Sequence, residues 1–164
     1  MLADMKDNDK VTIDRLDRKI LRILQERGRI SNVLLAKEVG LSPTPCLERV
    51  RKLERHGVIK GYHARIDPDK LGTPLLVFVE ITLSKTSSDV FAEFSDAARK
   101  TDEILECHLV SGDFDFLLKA RVADMAAYRK LLGETLLNMP GVNESRTYVV
   151  MEAVKQENKV VIKG

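Results

Sequence analysis

From Asp14 to Arg55 apolar residues return every three or four positions; after Pro74 they run together or alternate. The first texture predicts helices. Leu16, Ile20, Ile23 and Leu24 make one stripe over about Asp14–Arg27, with Gly28 as a stop signal. Asp14 and Asp17 stand near the start of that helix, where its dipole favours negative charge. In the next helix Leu34, Leu35 and Val39 supply an apolar face, Ser31 a cap, and Gly40 a left-handed stop. Ser42 caps a third helix with Pro43 at its first position, where a missing N–H costs nothing. Its Leu47, Val50 and Leu53 point inward, while Glu48, Arg49, Arg51, Lys52 and Arg55 do not. Three helices are the fewest that enclose a small core. After Gly57, residues 58–62 predict a short wing strand, and residues 63–73, with Pro68 and Gly72, a hinge.

The second texture predicts a sheet with two helices. Leu75–Leu83 reads as a strand apolar on both alternating sets. Asp89–Lys100 follows as a helix with Val90, Phe91, Phe94, Ala97 and Ala98 inward. Ile104–Ser111 and Phe114–Val122 are strands around Gly112 and Asp113. Asp124 caps a helix to about Asn138 with Tyr128, Leu131, Leu132, Thr135 and Leu136 inward, and Ser145–Val154 is a last long strand. Residues 159–163 are expected as an edge piece. Strand–helix–strand–strand–helix–strand is the split, ferredoxin-like βαββαβ order. The expected fold class is therefore α+β: a three-helix, winged helix-turn-helix domain, then a ferredoxin-like domain. One face of that sheet would stay open with Leu76 and Phe78 on it, which predicts sheet-to-sheet dimerisation.

Charge separates the halves. Residues 1–67 carry 15 Lys and Arg against 10 Asp and Glu, and residues 68–164 carry 12 against 15. A basic front half suits a nucleic-acid module joined to a domain with another task. Cys46 and Cys107 have no Cys-x-x-Cys partner, so reduced, packed thiols of a cytoplasmic protein are expected rather than a disulfide or zinc site. The polar first residues do not resemble a signal peptide, and the apolar runs are too short for a bilayer, so no membrane association is expected. His56, His63 and His108 are scattered, and no nucleophile–base pair or phosphate-binding glycine loop accompanies them, so catalysis is not expected.

Two helices joined by a tight turn, the second basic, are a common way to reach base edges in the major groove of double-stranded DNA. The surface offered would be Ser42, Pro43, Thr44, Pro45, Glu48, Arg49, Arg51 and Lys52, with Lys60 beyond. Ser42 and Thr44 can bond phosphate or base edges. Arg49 and Arg51 can grip guanine or phosphate, while Lys52 and Lys60 suit backbone contacts. Some of these arginines could instead pair with Glu48 or Glu54 on the helix surface.

Four segments, LDRKILRILQERGRIS (16–31), VGLSPTPCLERVRKLERHGVIKGY (39–62), CHLVSGDFDFLLKARV (107–122) and YRKLLGETLLNMPGVNESRTYVVMEAVKQ (128–156), closely resemble the Lrp/AsnC, or feast/famine, family of bacterial transcription regulators. The resemblance implies a DNA-binding domain over residues 12–62, a hinge at 63–73, and an amino-acid-sensing, oligomerising domain over 74–156. A polar arm (1–11) and a C-terminal tail (157–164) flank them. It also implies homodimers that assemble into octamers or hexadecamers, a nucleoid-associated location, no cofactor, and an amino-acid effector such as leucine bound between dimers. By position, Val77, Leu109, Gly112, Asp113, Asp115, Met125, Tyr148, Val149 and Val150 would supply the effector pocket, an Asp receiving the α-ammonium. The reading from another class is an architectural protein that wraps DNA and senses nothing.

Overall fold

The computed structural model describes residues 12–85 and 87–163, and the polar arm expected at 1–11 lies outside them. The described chain forms two compact units, residues 12–65 together with 157–163, and residues 66–156.

The first unit is built on α1 (Arg15–Glu26), α2 (Asn32–Val39) and α3 (Pro43–Arg55). Asp14 caps α1 by accepting from Asp17 N–H at 2.8 Å, and Asp17 returns the bond to Asp14 N–H at 3.2 Å. Ser31 Oγ accepts from Leu34 N–H, and Gly40 ends α2 at φ +81°, a conformation that favours glycine. Ser42 does hold the N-cap position of α3, but its hydroxyl makes no capping bond. Ile20, Leu35, Ala36, Val39, Cys46, Val50 and Leu53 form the core. Two inward assignments fail. Leu34 is 54 % exposed, its place taken by Ala36, and Leu47 stands outside the cluster that Cys46 joins.

The wing strand expected at 58–62 is not formed. Val58 and Ile59 both donate to Leu53 O, at 2.9 and 3.1 Å, so the chain folds back under α3 and packs these side chains on the core. With these two amides turned back to α3, the start of the segment is not free to pair as a strand. Tyr62 then donates to Glu54 Oε1 at 3.0 Å; burial, then the adjacent carboxylate, push its phenol up to about 12.

The second unit follows the split order, with β1 (Leu75–Leu83), α4 (Ser88–Arg99), β2 (Ile104–Leu109), β3 (Phe116–Val122), α5 (Met125–Lys130) and β4 (Val142–Val149). The four strands lie in the order β2-β3-β1-β4, every neighbour antiparallel. Val77, Val79, Ile81 and Leu83 alternate onto the helix-covered face and meet Phe94, Leu118, Leu131 and Leu136. Phe116 stacks on Phe94 at 4.5 Å and meets Phe91 edge-on at 5.8 Å.

The helix expected to reach Asn138 is interrupted. Leu136 N–H bonds both Leu131 O and Leu132 O, so residues 131–135 form a widened turn before a tight one at Leu136–Asn138. Five residues of regular helix would rotate Leu136 about 140° from Leu131. The widened turn brings both into the same core.

The opposite sheet face is more polar than expected. Leu76 is already buried, and beyond Phe78 the face carries Lys119 with Nζ 2.7 Å from Glu106 Oε1, and Glu80 facing Arg146 at 3.9 Å. The last strand stops at Val149, and residues 159–163 form no strand.

Candidate functional site

The outward surface of α3 exposes Ser42, Pro43, Thr44, Glu48 and Arg51, with Pro45 and Lys52 partly covered and Lys60 exposed beyond the helix. Cys46, Val50 and Leu53 hold the opposite side against α1 and α2, so the helix is carried rigidly. Asn32 Nδ2 donates to Pro43 O at 2.8 Å and pins the start of α3 to the start of α2.

Arg49 does not join that outward set. Its Nη1 lies 2.7 Å from Asp17 Oδ1 and 2.6 Å from Asp14 Oδ2, spanning from α3 to the capped start of α1. Asp17 is only 1 % exposed, so this is the charge that a buried carboxylate needs. The hydrogen bonds, to Asp17 first, raise the Arg49 pKa further above its ordinary value. The Asp17 amide and the Arg49 guanidinium hold the Asp14 carboxyl below the usual range. From sequence, both aspartates suit the helix dipole and Arg49 suits DNA; in the fold they pair with one another. The useful signal was the Asp-x-x-Asp spacing, which presents two carboxylates at one helix end to a third partner.

The expected effector residues do not converge within one chain. Gly112, Asp113 and Asp115 lie in the loop between β2 and β3, with Leu109 at the end of β2, 58 % exposed. Val77, Tyr148, Val149 and Val150 sit toward the other end of the sheet, and Met125 opens α5 after β3 has run its length. The six steps from Phe116 to Val122 span roughly 20 Å, and β2 and β4 are opposite edges roughly 14 Å apart. Val77 is fully buried on the helix side and reaches no surface. Asp115 Oδ2 accepts from Leu83 N–H at 2.7 Å, its own N–H donates to Ile81 O, and its carbonyl accepts from Val110 N–H. That aspartate stitches three chain segments together. Gly112 has φ +151°, which suits glycine in the loop.

Two shallow clefts mark the unit. A cavity of about 190 Å³ is lined by Glu80, Thr82, Asp113, Phe114, Glu144 and Arg146, and of the expected effector residues only Asp113 reaches it. Another, of about 350 Å³, lies among Thr73, Glu103, Arg121, Ala127, Lys130 and Glu134 and contains none of them. Burial raises the pKa of both Cys46 and Cys107, which disfavours the reactive thiolate. Among the described residues no helix is long and apolar enough to cross a membrane.

Residues 13–60 match a winged helix-turn-helix DNA-binding family, and residues 76–160 match the Lrp/AsnC ligand binding domain. Leucine-responsive regulatory proteins of Klebsiella pneumoniae and of Escherichia coli K12 are each 64 % identical over 162 residues, 99 % of both chains. A transcriptional regulator of Neisseria meningitidis, solved with L-methionine, superposes with a TM-score of 0.87 at 35 % identity, covering 92 % of this chain and 97 % of that one. An AsnC family regulator of Agrobacterium tumefaciens gives 0.86 at 38 %, over 90 % and 96 %. These relatives are regulators of transcription, not enzymes. A reading helix carried on a three-helix core, followed by a split βαββαβ sheet, thus has whole-chain counterparts in sequence and structure, and the chain belongs to the Lrp/AsnC family.

Proposed function

We propose that this chain is a sequence-specific DNA-binding regulator of amino-acid metabolism genes, acting as activator and repressor and modulated by leucine or a related amino acid. The observation that carries the DNA half is the outward surface of α3: Ser42, Thr44, Glu48 and Arg51 stand exposed, with Lys52 partly covered beside them, on a helix whose apolar side is packed. Arg51 reads base edges; Ser42 and Thr44 bond phosphate at the helix N-terminus; Lys52 and Lys60 hold the backbone. In a homodimer the two copies of α3 would enter successive major grooves about one helical turn apart. Such a regulator works in the cytoplasm, on the nucleoid.

The effector half rests on the dispersal just described. Residues at opposite ends and edges of one sheet form a pocket only if neighbouring chains bring those edges together. A composite pocket makes ligand binding and assembly one equilibrium, because a ligand that touches two chains favours the form in which both are present. Asp113 receives the ammonium, and exposed Leu109, Met125 and Val149 wall the side chain. Octamers and hexadecamers are the assemblies whose balance would shift.

Sedimentation of the full chain at several concentrations, with and without millimolar leucine, tests the coupling. A leucine-dependent shift in mass is expected, with altered affinity for a selected DNA duplex. An unchanged distribution and unchanged affinity would leave the architectural reading.

A further inference from the structure

The outer face of α1 holds a segment from the far end of the sequence. Gln25 makes two hydrogen bonds with one residue: Nε2 donates to Val160 O at 3.1 Å, and Oε1 accepts from Val160 N–H at 2.7 Å. One turn earlier, Arg22 Nη2 and Nε donate to Ile162 O at 2.9 and 3.3 Å. Lys159 Nζ lies 2.8 Å from each carboxylate oxygen of Glu26.

These three helical positions are spaced i, i+3 and i+4, so they are neighbours on the helix surface. They meet residues 162, 160 and 159 in that order, and the segment therefore runs antiparallel to α1. Val160 and Val161 are 73 % and 82 % exposed and Ile162 is partly covered, so the hydrogen bonds that α1 makes go to main chain and one lysine. A glutamine amide that satisfies both the N–H and the C=O of one residue imitates the pairing of a neighbouring strand. That gives residue 160 a main-chain partner although residues 159–163 join no strand.

We propose that residues 157–163 are a strap: the outer face of α1 is a peptide-docking surface whose occupant is the chain's own C-terminal segment. Residues 63–73 already join the DNA-binding domain to the sheet domain. The strap adds a second path, since it continues from residues that follow β4. A head tethered at two places explores less volume, which raises the effective concentration of a second recognition helix once the first has bound DNA. The contacts lie at the surface, so the strap can release and re-form. Only this consequence rests on the DNA-binding reading; the docking does not.

The test uses the full chain as Gln25→Ala, Glu26→Lys and the charge-reversed pair Glu26→Lys with Lys159→Glu. Amide exchange at Val160, read by mass spectrometry at residue resolution, reports the strap directly. Each single variant should exchange about fivefold faster than the parent, and the reversed pair should recover much of the protection. DNA selected by the parent protein, carrying one or two half-sites, reports the consequence. The single variants should lose about fivefold on two half-sites and nothing on one, with recovery in the reversed pair. Equal exchange in parent and Gln25→Ala, or no recovery in the reversed pair, would overturn the strap. Faster exchange in the single variants with unchanged two-site affinity would overturn its tethering role. Failure of the parent to bind any duplex would instead strike the DNA-binding reading and leave the exchange result standing.

Discussion

Arg49 on α3 places Nη1 2.7 Å from Oδ1 of Asp17 on α1, a carboxylate only 1 % exposed. The recognition helix is thereby fixed to the helix that backs it through a partly desolvated ion pair. With Asp14 on the same guanidinium nitrogen, the pair also locks the capped start of α1. The exposed face of α3 is thus held by this pin as well as by the apolar packing of Val50 and Leu53.

Arg49→Ala should therefore destabilise the DNA-binding domain by about 1–3 kcal/mol, through a buried carboxylate left short of its partner. The figure falls below the 3–5 kcal/mol typical of a fully buried pair. Arg49 is itself partly exposed, and Asp17 keeps the Asp14 amide. Denaturant melts of the full chain would show it as an earlier first transition, with DNA affinity lost about equally on selected and random duplexes. Unchanged stability with loss confined to the selected duplex would make Arg49 a base reader after all.

Acid should loosen the same joint. The Asp14 pKa is lowered, so its contribution is fully present above the ordinary aspartate range near 3.8 and is lost as pH falls through the lower folded value. The window accordingly lies below about pH 4. Hydrogen exchange of α1 measured from pH 6 down to pH 3 should accelerate in excess of the intrinsic rate only at the acid end. In Asp14→Asn that excess should be absent, the domain already being weaker at neutral pH.

Arg51 and Lys60 separate reading from gripping. Both are exposed, and Arg51 stands on the outward face of α3. Arg51→Ala should cost roughly 1–3 kcal/mol on the selected duplex and little on random DNA, whereas Lys60→Ala should weaken both and lower the salt slope by about one. Filter binding across a salt series distinguishes them; matching losses for the two variants would remove the base-reading role of Arg51.

The two loop aspartates should part company. Asp115→Ala removes the acceptor for Leu83 N–H and should lower stability of the sheet domain by roughly 1–3 kcal/mol, with any leucine defect following from that. Asp113→Ala, at the mouth of the polar cleft, should leave the melting curve intact and weaken leucine binding. Calorimetric titration alongside thermal melts checks both. Full leucine affinity in a well-folded Asp113→Ala protein would place the ammonium elsewhere.

Much of this molecule could be read from local pattern. The stripe through Ile20 and Leu24, the Ser31 cap with Gly40 behind it, and Pro43 at the head of α3 are short-range signals, and the helices begin and end beside them. The strand over Leu75–Leu83 and the split order rest on equally local alternation. Which side of α3 faces outward was legible for the same reason: a helix with one apolar side must turn its other side outward.

What the chain kept to itself until folded were choices between partners. A charged side chain on a helix surface carries no mark saying whether it will face solvent, nucleic acid or a carboxylate from another helix. Arg49 found Asp17 because packing brought α1 beside it, 32 residues away in sequence. Residues 159–162 met Arg22, Gln25 and Glu26 across more than 130 positions, and no periodicity foretells that. The placement of Leu109 and Val149 on opposite edges likewise follows from strand order. Sequence alone determined which segments become helix or strand, since those forces act within a few residues; tertiary structure decided which charges and edges meet, because that depends on distances only the packed chain creates.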